Sequence, residues 1–267
     1  MIRDITIGQY YPADSVLHKL DPRTKLVGTI LFIASVFLFH TFPGYAAATV
    51  FLAAVIKLSK VPPKFIFKGL KAILMILLFT VVINILLTPG EILWKFGIFK
   101  ITREGLSLAA RMAIRLTYLV MGSSIMTLTT TPNQLTDGME RLLRPLQKLR
   151  VPVHEIAMMM SIALRFIPIL LEETDKIMKA QIARGADFES GNLIKKAKNM
   201  IPLLVPLFIS AFRRANDLAM AMEARCYHGG DHRTQMKPLK YQKRDYAAYF
   251  VLLGYLAVAI AFRIAGI

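Results

Sequence analysis

The sequence predicts an all-α integral membrane protein: about five transmembrane helices together with a cytoplasmic domain of long amphipathic helices. Three observations carry this prediction. Of the 267 residues, 55% are hydrophobic, too many for an ordinary soluble domain. The apolar residues gather in runs that lack Asp and Glu. The net charge is +17, from 34 Lys and Arg against 17 Asp and Glu, and the basic residues concentrate between the runs, as they do in cytoplasmic loops of membrane proteins. A nucleic-acid binder would share the charge but not the uncharged apolar runs, so that class is set aside.

The elements follow in order. The N-terminal stretch MIRDITIGQYYPADS is polar and mixed, without the apolar core of a signal peptide. Residues 26–39 form the first apolar run and residues 45–58 the second. Both are shorter than the roughly 20 residues that a bilayer core requires, so they recruit flanking residues or face other helices. Residues 70–87 are the most hydrophobic run, stopped by Pro89-Gly90, and residues 106–129 are the fourth, with Arg111 and Arg115 in the first half. Snorkelling to the headgroups accounts for these two arginines. Between the third and fourth runs, Ile92, Trp94, Phe96 and Ile98 alternate with other residues, the pattern of a short interfacial hairpin. The fifth run is residues 246–260.

Arg3, Lys19, Arg23 and Lys25 precede the first run, and Lys57 at the end of the second run is followed by Lys60, Lys64 and Lys68 before the third. This bias predicts a cytoplasmic N-terminus. Counting spans then divides the chain into an N-terminal membrane domain of four spans (1–130), a cytoplasmic helical domain (131–245) and a C-terminal transmembrane helix (246–267). The cytoplasmic segment opens with a capping box, Thr131 as N-cap and Gln134 three residues on, with Pro132 in the first helical position. Leu135, Met139, Leu142, Leu146 and Leu149 continue at helical spacing, which predicts one helix ending at Val151-Pro152. A second helix, about residues 154–183, carries a broad apolar stripe and is expected to kink at Pro168; a third, about residues 193–227, is expected to be broken by Pro202 and Pro206. The three prolines are read either as bend points or as accommodations to packing.

The second and third helices close alike. AQIARG ends at Gly185 and AMEARC at Cys226, with the two arginines 225 − 184 = 41 positions apart. An Arg near a helix C-terminus complements the helix dipole, yet the repetition favours a second use. Ala before and Gly or Cys after remove bulk, so each tip can enter a narrow groove and place a guanidinium fork on a carboxylate. Two such tips suggest two similar sockets on a partner of twofold or pseudo-twofold symmetry. Gly185 suits a left-handed helix stop; Cys226 suits it less, which predicts that the third helix continues to Tyr227 and stops at Gly229-Gly230.

LDPRTKL at residues 20–26, LRPLQKLRVP at 143–152, ALRFIPILLEE at 163–173, AQIARG and AMEARC, in this order and spacing, resemble the T component of energy-coupling-factor (ECF) transporters, a family that includes the cobalt-uptake Q proteins. The resemblance implies a transmembrane scaffold subunit of an ECF-type ABC importer for a vitamin or metal ion. In such an importer, Ala183, Arg184 and Gly185 on one tip, and Ala224, Arg225 and Cys226 on the other, dock on two ABC-type ATPase subunits. Pro168, Pro202 and Pro206 serve as hinges, and the long helices carry motion to a substrate-binding S component. Cys226 departs from the Gly of many relatives.

The alternative is a stand-alone secondary transporter or channel. The apolar runs hold no Asp or Glu, and Asn84 is the main mid-span polar group of the third, whereas such proteins place ionisable groups inside the membrane. An enzyme is not indicated. No G-x-x-x-x-G-K-[ST] phosphate loop is present, no cofactor or metal is implied, and Cys226, His228, Asp231 and His232 match no zinc spacing. The single cysteine excludes an intramolecular disulfide.

Overall fold

The computed structural model describes residues 10–39, 41–96, 99–188, 192–229 and 238–264. All five apolar runs are helical. They fall on α1 (Pro22–Leu38, with Phe39 as its C-cap), α2 (Phe42–Ser59), α3 (Pro63–Leu87), α4 (Arg103–Thr129) and α9 (Lys243–Ile264). The expected hairpin is present as antiparallel strands β1 (Ile92–Phe96) and β2 (Phe99–Thr102), with Phe96 opposite Phe99 and an irregularity between Ile92 and Trp94; Ile98 lies outside the described residues. The remaining elements are α5 (Pro132–Leu143), a 3-10 segment (Arg144–Leu149), α6 (Val153–Ala183), α7 (Leu193–Asn199) and α8 (Ile201–Ala224).

The protein is therefore an all-α membrane protein, with one small hairpin among the described residues. Among the described residues α2, α4, α6 and α9 are long and apolar enough to cross a membrane. α3 makes a fifth if its two parts, Pro63–Lys71 and Ile73–Leu87, bent by 60°, count as one span. At 17 residues α1 is shorter than these.

Two compact units are distinguished. The first comprises Gly8–Arg141 with Leu239–Ile267, the second Leu142–Pro238. In the first, α4 packs against α1, α2 and α3, while α9 packs against α1 and α2. Phe32, Val36, Tyr45, Leu52, Ile66, Ile125 and Tyr255 belong to its buried core. Phe51 stacks on Tyr255 at 4.2 Å between ring centroids, and the Tyr255 hydroxyl is 2.8 Å from Ser35 Oγ, which satisfies the polar end of a buried ring. A Cβ on Gly122 would lie 2.7 Å from the Phe32 ring, so only glycine lets α4 approach α1 this closely. Likewise a Cβ on Gly138 would lie 2.9 Å from Pro22, which shows α5 packed onto the start of α1.

The N-termini of α1 and α9 meet through one carboxylate. Asp245 Oδ1 accepts the Asp21 backbone N–H at 2.8 Å and the Thr24 hydroxyl at 3.3 Å, and Oδ2 accepts the Gln242 N–H at 2.8 Å. Asp21 in turn caps α1 by accepting the Arg23 N–H at 2.9 Å, and it pairs with the Arg23 guanidinium at 2.9 Å. Burial pushes the Asp21 carboxyl up, but the side-chain and backbone hydrogen bonds from Arg23 outweigh it and hold the group below its ordinary value. Arg23 also lies 3.9 Å over the Tyr241 ring. The two positive helix ends thus receive two negative charges. Nearby, Lys25 Nζ donates to the Thr129 carbonyl at 2.8 Å and the His18 carbonyl at 3.3 Å, tying α1 to the end of α4.

Three expectations are corrected. The helix expected to run unbroken from Pro132 to Val151 stops at Leu143, and residues 144–149 tighten into the 3-10 segment. Pro145 removes the N–H that would continue the α ladder, and Arg150 closes the segment in the left-handed region at φ +62°. The third long helix breaks once, not twice: it parts at Met200, beside Pro202, which falls in the first turn of α8 where no N–H is needed, and it runs unbroken through Pro206. Arg115 does not snorkel: its Nη2 donates to the Phe39 carbonyl at 3.0 Å, just past the end of α1. There it complements the negative helix end. The capping box is observed as expected, with Thr131 N–H donating to Gln134 Oε1 at 3.2 Å and Gln134 N–H to Thr131 Oγ1 at 3.3 Å.

Asp245 is 1% exposed, so its loss leaves the Asp21 N–H and the Thr24 hydroxyl without their buried acceptor. Asp245→Ala is expected to destabilise the protein by about 3 kcal/mol and Asp245→Asn by less, measured as thermal unfolding in detergent. Unchanged melting of Asp245→Ala would contradict this account of the α1–α9 junction.

Candidate functional site: two matched helix tips

The two Ala-Arg sequences end helices in the same backbone motif. α6 stops at Ala183 with Arg184 as its C-cap. Gly185 then adopts φ +87°, its N–H donates to the Ile182 carbonyl at 2.9 Å, and the Ala186 N–H donates to the Gln181 carbonyl at 2.9 Å. α8 stops at Ala224 with Arg225 as its C-cap. Cys226 adopts φ +55°, its N–H donates to Glu223 at 2.8 Å, and the Tyr227 N–H donates to Met222 at 3.0 Å. This pair of bonds is the Schellman closure at both ends.

The continuation of the third helix to Tyr227 is thereby corrected. Cys226, not Gly229, takes the left-handed position that ends α8, while Gly229 is separately left-handed at φ +97°. The steric cost of a left-handed non-glycine residue is about 1–2 kcal/mol. The two closing hydrogen bonds offset it, because without them the Glu223 and Met222 carbonyls would have to find other partners at the helix end.

Ala183, Arg184, Gly185, Ala224, Arg225 and Cys226 are all exposed. Neither guanidinium is engaged by an acid among the described residues. Each tip therefore presents an unengaged planar fork of donors, bounded by residues too small to shield it. Cys226 is a free, exposed thiol. Among the described residues no group of three His, Cys, Asp or Glu is placed to hold a metal ion; Asp231 and His232 lie outside the described residues.

Pro168 lies inside α6 and Pro206 inside α8. Pro168 removes the helical donor to the Leu164 carbonyl, and Pro206 the donor to Pro202, so each weakens one turn. Pro202 occupies the first turn of α8, where a proline costs nothing.

α6 and α8 also share a contact that the sequence reading did not identify. Glu173 of α6 accepts from Ser210 Oγ on one oxygen; on the other it accepts from Arg214 Nη2 at 2.8 Å and Nε at 3.2 Å. The available signal was spacing: Glu173 and Arg214 are 41 residues apart, the same interval as the two tip arginines. On the outer side of α8, Ile201, Val205, Phe208 and Phe212 recur at helical spacing and are all exposed, an apolar stripe.

A family model described as "Cobalt transport protein" (CbiQ) matches residues 13–236. The chain is 57% identical over 268 residues to the "Energy-coupling factor transporter transmembrane protein EcfT" of Clostridium kluyveri, covering 99% of this chain and 98% of the relative. It is 57% identical over 245 residues to the protein of that name from Ruminiclostridium cellulolyticum, covering 92% of each. The Bacillus subtilis protein of that name is 48% identical over 264 residues, covering 98% of this chain and all of the relative.

The tip geometry predicts opposite effects of two substitutions. Cys226→Gly relieves the left-handed strain and should slow amide exchange at positions 226 and 227 by about fivefold, equivalent to about 1 kcal/mol. Gly185→Ala introduces the strain and should speed exchange at positions 185 and 186 by a similar factor. Hydrogen-exchange mass spectrometry of the tip peptides reads both, and equal exchange in variant and native chains would refute the assignment.

Proposed function

The chain belongs to the CbiQ/EcfT family, the transmembrane component of energy-coupling-factor transporters, and on that premise we propose that it couples two ATPase subunits to a substrate-binding S component. It is itself the non-catalytic membrane subunit. The observation that carries the proposal is the pair of matched tips with unengaged arginines.

Each tip enters a groove on one ABC-type ATPase subunit. There Arg184 or Arg225 meets a carboxylate, and Ala183 with Gly185, or Ala224 with Cys226, leaves the helix end slim enough to fit. Two equal tips suit a pair of similar ATPases related by a twofold or pseudo-twofold axis. Residues 131–245 and the N-terminus lie on the cytoplasmic side in this reading, in keeping with the Lys and Arg bias. ATP binding and hydrolysis move the two grooves, and the tips move with them. α6 and α8 carry the displacement, with Pro168 and Pro206 as points of reduced bending stiffness.

The S component sits against the exposed apolar surface, for which the α8 stripe of Ile201, Val205, Phe208 and Phe212 is the best-suited patch. The large exposed apolar residues there suit an adaptable helix–helix contact. The cargo is a small nutrient of the vitamin or metal-ion class, carried by the S component and not ligated by this chain.

Arg184→Glu combined with Arg225→Glu should abolish co-purification with the ATPase pair while the chain remains in the membrane. Each single change should weaken capture by about tenfold or more, as expected for loss of one charge-assisted contact. Normal complex yield in the double variant would reject the docking reading. The purified chain alone should hydrolyse no ATP, and uptake into liposomes should need all partners. Uptake driven by a proton gradient in liposomes holding this chain alone would reject the scaffold reading instead.

A further inference from the structure

The contact between α6 and α8 stands in a fixed relation to the two tips. From Glu173 to Arg184 is 184 − 173 = 11 residues, and from Arg214 to Arg225 is 225 − 214 = 11 residues. Each arm is therefore three helical turns, about 16 Å at 1.5 Å per residue. The equality holds whatever the crossing angle of the helices. Ser210 and Arg214 are one turn apart on α8, so a single carboxylate grips a full turn of the opposing helix, one oxygen on each residue. Sliding α8 by one turn, or rolling it about its axis, breaks both bonds, whereas a change in crossing angle breaks neither at first.

The burial pattern agrees. Beyond the contact neither arm has a buried residue; in residues 215–225 only Leu218 and Met222 are even half-buried. Before it, Val153 and Ala157 on α6 and Leu203 on α8 are buried. The arms are free to swing where the proximal parts are held.

We propose that Glu173, Ser210 and Arg214 form the pivot of the two coupling arms: positioning residues that hold α6 and α8 in axial register while the angle between them, and so the separation of Arg184 and Arg225, changes. The consequence for transport rests on the docking reading; the mechanical statement does not. With equal arms, a rotation of ~10° about the pivot displaces each tip by ~3 Å, so both ATPases receive the same stroke.

The test measures the tip separation directly. The full chain, with Cys226→Ser and spin labels at Ala183→Cys and Ala224→Cys, is placed in lipid nanodiscs, and the distance distribution is taken by pulsed electron resonance. A native pivot gives one main range of distances, the range that a change in crossing angle alone can reach. Glu173→Ala or Arg214→Ala should raise the population outside it by about fivefold, a factor set by a partly exposed ion pair plus one hydrogen bond. Ser210→Ala should have a smaller effect, and Glu173→Arg with Arg214→Glu should restore the main range. High salt should broaden the native distribution but not that of Glu173→Gln, which keeps the volume and the Ser210 bond and guards against loss of folding. A distribution unchanged in both Glu173→Gln and Arg214→Ala overturns the proposal.

In the assembled transporter, Glu173→Gln should still capture both ATPases yet hydrolyse more ATP per molecule transported, with the charge swap recovering the ratio. An unaltered ratio alongside a broadened distribution rejects the pivot's role in coupling. If Arg184→Glu with Arg225→Glu leaves ATPase capture intact, the docking reading falls, and the distance measurement still judges the pivot by itself.

Discussion

The Asp245 carboxylate is the constraint on which the first unit depends. Two helices, α1 and α9, begin at the same place, and two helix N-termini carry like partial charges that repel. Asp245 turns this repulsion into a junction by accepting from the Asp21 backbone, the Thr24 hydroxyl and Gln242. Asp21 does the same for its own helix and recruits Arg23, which then covers Tyr241. The bond joins residues 224 positions apart. It brings the last helix back against the first and closes the bundle around Phe32, Phe51 and Tyr255. Charge distributed in this way is tolerated at burial because each oxygen has a donor.

Closing the bundle with α9 makes the second unit an insertion. Leu142–Pro238 leaves the first unit after α5 and rejoins it before α9, so both of its ends are anchored in helices that pack on α1. Its own cohesion is of another kind. It has few buried residues, long helices with large exposed apolar side chains, and a polar grip at Glu173. The first unit resembles a packed core. The second resembles a pair of levers with surface left over for partners.

Much of this was legible in the chain. The five apolar runs became helices because largely apolar runs of that length satisfy their backbone only within themselves. The alternation at Ile92 to Phe96 became a strand, and the Thr131–Gln134 box closed as its spacing required. What stayed hidden has physical reasons. Leu146 and Leu149 kept helical spacing, but Pro145 deprived that turn of a donor, and periodicity does not register one missing N–H. At Cys226 the steric cost was legible and the compensating Schellman bonds were not. Arg115 looked like a snorkelling residue because its acceptor, the Phe39 carbonyl, lies 76 positions away. Nothing local to Asp245 marks its partners, which lie 224 and 221 positions away. The matched tips were readable because each is local; the Glu173 contact was not, since only folding brings residues 41 positions apart into reach.

The late position of Asp245 has a consequence for how the protein is made. On the ribosome α1 emerges long before Asp245, the acceptor of the Asp21 N–H, has been translated. Throughout synthesis of α2 to α8 the Asp21 N–H and the Thr24 hydroxyl have only water or headgroups to bind. A nascent chain halted before residue 245, or a transcript truncated there, yields a bundle with an open seam along α1 and α2, where α9 belongs. The junction that ties the first helix to α9 therefore forms only after residue 245 has been made, however early α1 itself was synthesised.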